Sequence, residues 1–161
     1  MISIAIVEDE EMYAKQLQQF LHQYEEENKE MFDITVYSDG DQIVNKYKSQ
    51  YDIILMDVEM KFMDGMSAAE EIRKIDTEVV IIFITNMAQY AIRGYAVDAL
   101  DYVLKPVNYE EMDTILMKLV KSLSRKAVVE SVSESIVHDL EERDSENASV
   151  IPKVKQYIIE H

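Results

Sequence analysis

VVIIFI at positions 79–84, closed by Thr85 and Asn86, is the most uniformly apolar segment of the chain. An uninterrupted run of branched and aromatic side chains reads as a strand covered on both faces, which places it centrally in a parallel sheet. Neighbouring segments repeat the theme. Residues 52–56 (DIILM) predict a strand closed by Asp57, and 99–104 (ALDYVL) one followed by Lys105 and Pro106. Toward the N-terminus, 2–7 (ISIAIV) ends in acids and 33–37 (DITVY) is β-branched. Helical spacing fills the gaps. It covers about 10–26 (Met12, Leu17, Phe20, Leu21, Tyr24), the stretch from Asp39 as cap to about 49 (Ile43, Val44, Tyr47), 67–75 and 88–97. A last helix is expected over 109–125, with Met112, Leu116, Leu119, Val120 and Leu123 on one side. Five strands alternating with five helices predict an α/β domain. Its sheet is parallel and doubly wound, in the flavodoxin-like order 2-1-3-4-5, with helices on both faces.

The composition narrows what such a domain does. The 161 residues hold 16 Lys plus Arg against 32 Asp plus Glu, a formal charge of −16. A surface this negative repels phosphate backbones and suits cations or basic protein surfaces. With 48% hydrophobic residues there is enough for a sizeable core, and 3 Gly and 2 Pro argue against a fibrous or low-complexity chain. Cysteine is absent, which excludes disulfide and thiolate chemistry. No apolar run is long enough to span a bilayer, and Glu8 and Asp9 interrupt any leader-like core, so a cytoplasmic protein is expected.

Parallel strands end on one edge of the sheet, and ligands bind there. Glu8 and Asp9 follow the first strand, Asp57 the third, Thr85 the fourth and Lys105 the fifth. Any one acid at a strand end is ordinarily a helix cap; the whole set at corresponding ends is harder to explain that way. Three carboxylates held together take up a proton or bind a cation. An all-oxygen site with few protein ligands suits Mg²⁺. A carboxylate in such a site is also a nucleophile that forms an aspartyl phosphate. Lys105 and the Thr85 hydroxyl would then neutralise the transferred oxygens.

With VEDE at 7–10, ILMD at 54–57, IFIT at 82–85 and DYVLKP at 101–106, the chain resembles a two-component response-regulator receiver domain over about residues 1–125. The resemblance implies Asp57 as phosphoacceptor, and Asp9 and Asp57 as side-chain Mg²⁺ ligands with the Glu59 backbone carbonyl as a third. It implies Glu8 as the other acid-pocket residue, acting through metal-bound water. Thr85 matches the switch hydroxyl, Lys105 the lysine that pairs with the phosphoryl group, and Tyr102 the aromatic that turns inward when Thr85 moves. It further implies a cis bond before Pro106, a histidine kinase or phosphotransfer protein as donor, and no catalysis beyond the domain's own phosphorylation and dephosphorylation. A homodimer through the helix over 88–97, the strand over 99–104 and the helix over 109–125 is a further expectation, with Tyr90 and Tyr95 as candidate contacts. The segment 85–106 resembles receivers paired with LytTR-type DNA-binding domains. One departure is the loop after Asp57, where Met60 stands in place of the proline common in receivers.

The receiver is thus expected over 1–126. Residues 127–161, with Val129, Val132, Ile136 and Leu140 near helical spacing, read as a helical extension or linker. Its last stretch, IPKVKQYIIEH (151–161), resembles the start of an AraC-type helix-turn-helix domain. Contact with DNA would then come only through an output domain not present in this chain. The functions weighed are a phosphorylation-switched transcriptional receiver, a stand-alone phosphoryl shuttle, and an interaction module that works without phosphorylation. Met60, Met63 and Met66 cluster beside Asp57, where packing competes with partner contact.

Overall fold

The computed structural model describes residues 1–88, 93 and 96–143. Its five strands are β1 (Ile2–Val7), β2 (Phe32–Tyr37), β3 (Ile53–Met56), β4 (Val80–Thr85) and β5 (Asp101–Leu104). They form one sheet in the order β2-β1-β3-β4-β5, every neighbouring pair parallel. The expected order is therefore the observed one. Four helices are described: α1 (Glu11–Asn28), α2 (Gly40–Asn45), α3 (Gly65–Ile75) and α4 (Tyr109–Arg143). The chain divides into two units, Met1–Asp113 and Thr114–His161. Most of the helix expected over 88–97 lies outside the described residues, as do Tyr90, Tyr95 and the whole of 151–161. Among the described residues, no helix is long and apolar enough to cross a membrane.

Burial follows from position in the sheet. All four residues of β3 are buried, as are five of the six in β4, because a central strand is covered on both sides. The edge strands β2 and β5 mix buried and exposed positions. On one face, Ala5, Val7, Ile54, Met56, Ile81 and Phe83 pack with Ile43 of α2 and with Met66, Ala69 and Ile72 of α3. α1 turns Ala14, Leu17, Leu21 and Tyr24 inward and packs against β1 and β2. Met66 is fully buried, so packing accounts for it; Met60 and Met63 are half-buried against the same core.

Several boundaries differ from the sequence reading, for local reasons. α2 stops at Asn45, and the chain reverses through Ser49 in the left-handed region (φ 55°). α3 starts two residues early because Asp64 caps it, its side chain accepting the Ser67 N–H at 2.8 Å. Arg73 and Lys74 in its last turn complement the helix dipole. Arg73 also ties down chain beyond its own helix. Its guanidinium donates to the carbonyls of Val79 (2.7 Å), Val97 (2.7 Å) and Asp98 (3.0 Å). The helix expected to end near residue 125 continues to Arg143.

The loop after β3 is held from outside. Asp39 was expected only to cap α2, and its bond to the Asp41 N–H is long, at 3.4 Å. Its stronger bonds cross to the loop, accepting Met63 N–H at 2.8 Å and Phe62 N–H at 3.0 Å. Burial opposes its ionisation, but these backbone donors outweigh it and hold the carboxyl below the ordinary aspartate value. Two glycines let the same loop approach closely. A Cβ on Gly65 would overlap the Asp57 carbonyl oxygen, and one on Gly40 would press on that of Met63.

Two outcomes follow. Gly65→Ala is expected to lower the urea unfolding free energy by about 1–3 kcal/mol, the usual cost of forcing atoms into filled space. The lowered pKa of Asp39 means that its contribution is present above the unfolded-state value and lost as pH falls through the folded one. Wild type should therefore lose stability relative to Asp39→Asn on acidification below about pH 4, read as converging melting temperatures.

Candidate functional site

The C-terminal ends of β1, β3, β4 and β5 bring the expected residues to one edge. Asp57 leaves β3 with its N–H donated to Val7 at 3.0 Å, and Glu8 leaves β1 with its N–H on Tyr37 at 3.0 Å. Lys105 is fixed after β5 by its N–H on the Thr85 carbonyl at 2.9 Å. Extensions of the sheet ladder thus set the backbone beneath each side chain. The Lys105–Pro106 bond is cis, as expected.

Glu8, Asp9 and Asp57 each bring one carboxylate oxygen to within 4.8 Å of the others. The Lys105 ammonium donates to Glu8 Oε1 and lies 3.3 Å from Asp57 Oδ2, with all three side chains nearly inaccessible to solvent. Asp9, by contrast, is exposed. An open cleft of about 410 Å³ sits above the cluster, lined by Asp9, Asp57, Glu59, Met60, Lys61 and Thr85 among others. Thr85 is fully buried at the end of β4, and its Oγ1 accepts the Met87 N–H at 3.3 Å. Tyr102 does not line the cleft. Its ring lies 5.9 Å from that of Phe83, and its hydroxyl donates to the Met87 carbonyl. Thr85 and Tyr102 therefore grip the same residue, one at its N–H and one at its carbonyl.

The charges do not balance. One ammonium serves two buried carboxylates, and Asp9 adds a third acid at the rim. Burial pushes Glu8 up to about 8 although Lys105 opposes the shift, and Asp57 adds to the push. Burial also works against the charge on Lys105, but Glu8 and Asp57 outweigh it and keep the amine protonated. Glu8 Oε2 is buried with no hydrogen-bond partner. An orphaned buried oxygen, excess negative charge and an all-oxygen donor set together fit a hard divalent cation such as Mg²⁺.

Two contributions were missed in the sequence. Asp39 reaches the loop after β3 through the Phe62 and Met63 amides, and Tyr13 of α1 lies against Lys105. Asp39 follows β2 but reads as a helix cap, Tyr13 stands outside the strand-end set, and each meets its partner only after distant segments have folded together.

The comparisons agree with this geometry. The response regulator receiver domain family matches residues 4–117. The chain is 29% identical over 133 residues to the sensory transduction protein LytR of Streptococcus agalactiae, covering 81% of this chain and 53% of that protein. It is 30% identical over 145 residues to the sensory transduction protein LytT of Oceanobacillus iheyensis, covering 88% and 57%. It spans about half the length of the curated relatives it matches. Among solved structures, the response regulatory domain of protein mrkE from Klebsiella pneumoniae aligns with a TM-score of 0.69 at 24% identity, covering 77% of this chain and 99% of that one. The response regulator TrrA from Thermotoga maritima, solved in complex with Mg²⁺ and BeF, aligns with a TM-score of 0.63 at 30% identity, covering 74% and 99%. A parallel sheet in this order, an acid cluster with a lysine at its C-terminal edge, and a family match across most of the chain lead to one assignment: the protein belongs to the response regulator receiver domain family.

Proposed function

We propose that Asp57 accepts a phosphoryl group from a phosphohistidine on a histidine kinase or phosphotransfer protein, and that the modified domain switches an output that controls transcription. The observation that carries this reading is the Asp57 carboxylate beside the cleft, with the Lys105 ammonium 3.3 Å from one of its oxygens and two further acids alongside. An Asp57 oxygen attacks phosphorus, the O–P bond forms, the P–N bond of the donor breaks, and its electron pair stays on the imidazole nitrogen. Asp9 and Asp57 would hold Mg²⁺, with the Glu59 carbonyl as a third ligand and Glu8 acting through bound water. The ion, when bound, supplies positive charge against the oxygens of the transferred group.

The protein's own residues do the remaining work. Lys105 offsets charge on the phosphoryl oxygens. The Thr85 hydroxyl, released from the Met87 N–H, donates to one of them. Loss of that bond changes the footing of Met87, whose carbonyl Tyr102 holds, so Thr85 and Tyr102 move as a pair. The result is a shift between two populations of one fold. The LytR and LytT relatives, about twice the matched length, support an output region beyond the matched part, which in this reading binds DNA in the cytoplasm. A homodimer through the helix expected over 88–97, β5 and α4 would carry the signal onward.

Incubation with a labelled small-molecule phosphodonor and Mg²⁺ is expected to give one acid-stable, base-labile phosphoryl group. The label should vanish in Asp57→Asn and on chelation by EDTA; label surviving in Asp57→Asn would overturn the assignment. Lys105→Ala is expected to fold and still take label, more slowly, without the accompanying change in oligomeric state or output. Equal responses in phosphorylated mutant and wild type, compared by sizing chromatography, would contradict that role.

A further inference from the structure

A buried ammonium has three N–H groups to satisfy. For Lys105, Glu8 Oε1 takes one, and Asp57 Oδ2 at 3.3 Å is a second partner. The side chain is only 3% exposed, so bulk water does not freely supply the third. The aromatic ring of Tyr13, in the first turn of α1, fills that side, with its centroid 3.9 Å from Nζ. Gln16 and Leu17 of α1, with Ile84 and Val107, line a small hollow shared by Tyr13 and Lys105. The face of an aromatic ring is negative and attracts a cation, most strongly where water is excluded. The two carboxylates pull the ammonium toward the acid cluster, and the ring lies against it at contact distance.

We infer that the Tyr13 ring is the third partner of the Lys105 ammonium, and that Tyr13 is thereby a positioning residue for phosphoryl transfer to Asp57. The inference rests on the reading that Lys105 meets the transferred group. With the ring in place, the flexible four-carbon stem has little freedom to swing the charge away from Asp57. Without it, the amine samples rotamers in which its charge no longer faces the incoming oxygens. The ring's quadrupole, rather than its volume or its hydroxyl, is the property that matters. Phe keeps that property, whereas Leu keeps most of the volume and loses it.

Two readouts on the full chain test this. The first is the NMR shift of the Lys105 ε-methylene protons, which a ring face moves upfield. The second is the rate of labelling by acetyl phosphate with Mg²⁺. Tyr13→Phe should keep both near wild type. Tyr13→Leu should lose the upfield shift and slow labelling about thirtyfold, the kinetic equivalent of a desolvated cation–π contact. Tyr13→Met, also ringless, serves the same comparison if the Leu variant does not fold. In a Lys105→Met background, Tyr13→Leu should slow labelling no further. Wild-type labelling and shift in Tyr13→Leu, equal losses in the Phe and Leu variants, or an undiminished effect without Lys105 would each overturn the inference. Failure of wild type to take label would defeat the phosphorylation reading instead, while the methylene shift and its loss would still decide whether the ring holds Lys105.

Discussion

A single ammonium, Lys105, is shared between Glu8 and Asp57 at the carboxyl edge of the sheet, and most of the site's properties descend from that unequal sharing. Two buried carboxylates with one cation beside them leave negative charge uncompensated. The protein relieves it partly by raising Glu8, and it leaves Glu8 Oε2 without a partner. A fully satisfied cluster would be a stable structural ion pair with nothing left to bind. This one has a standing demand for positive charge in an open cleft, which is the electrostatic condition for holding a divalent cation and stabilising a transferred phosphoryl group.

The rest of the fold keeps that imbalance in place. Sheet-ladder bonds from Val7 to Asp57 and from Thr85 to Lys105 fix backbones that are far apart in sequence. Asp39 pins the loop after β3 by its grip on the Phe62 and Met63 amides, and Gly40 and Gly65 leave room for that loop to lie close. On the other side, Thr85 and Tyr102 both hold Met87. Thr85 and Tyr102 are therefore linked through one residue.

Much of this was legible in the sequence because it is written in local pattern. The apolar run at 79–84 marked the central strand, and strand ends picked out Glu8, Asp9, Asp57, Thr85 and Lys105 before any contact was known. Alternation of strand and helix gave the class and with it the doubly wound order, and the resemblance carried by VEDE, ILMD, IFIT and DYVLKP gave the cis bond before Pro106. What escaped was set by tertiary contact. Asp39 has the look of an ordinary helix cap, yet its better bonds go to a loop beyond the next strand. Tyr13 reads as one more aromatic on an amphipathic helix, and only the folded chain brings its ring to Lys105. The early end of α2 was likewise invisible to spacing, since propensity blurs at helix ends, whereas the run of α4 to Arg143 passes through a stretch whose spacing already reads as a helical extension.

The central claim is that one pocket, built from Glu8, Asp9, Asp57, Thr85 and Lys105, binds a cation and a tetrahedral phosphoryl group together. Titrating the isotopically labelled protein with beryllofluoride, a stand-in for the phosphoryl group, in the presence and absence of Mg²⁺ tests it most directly. Saturable shifts centred on the amides of Asp57, Thr85 and Lys105 and extending to Met87 and Tyr102 are expected only when both components are present. Shifts that need no Mg²⁺, that map away from this edge of the sheet, or that persist in Asp57→Asn would contradict it.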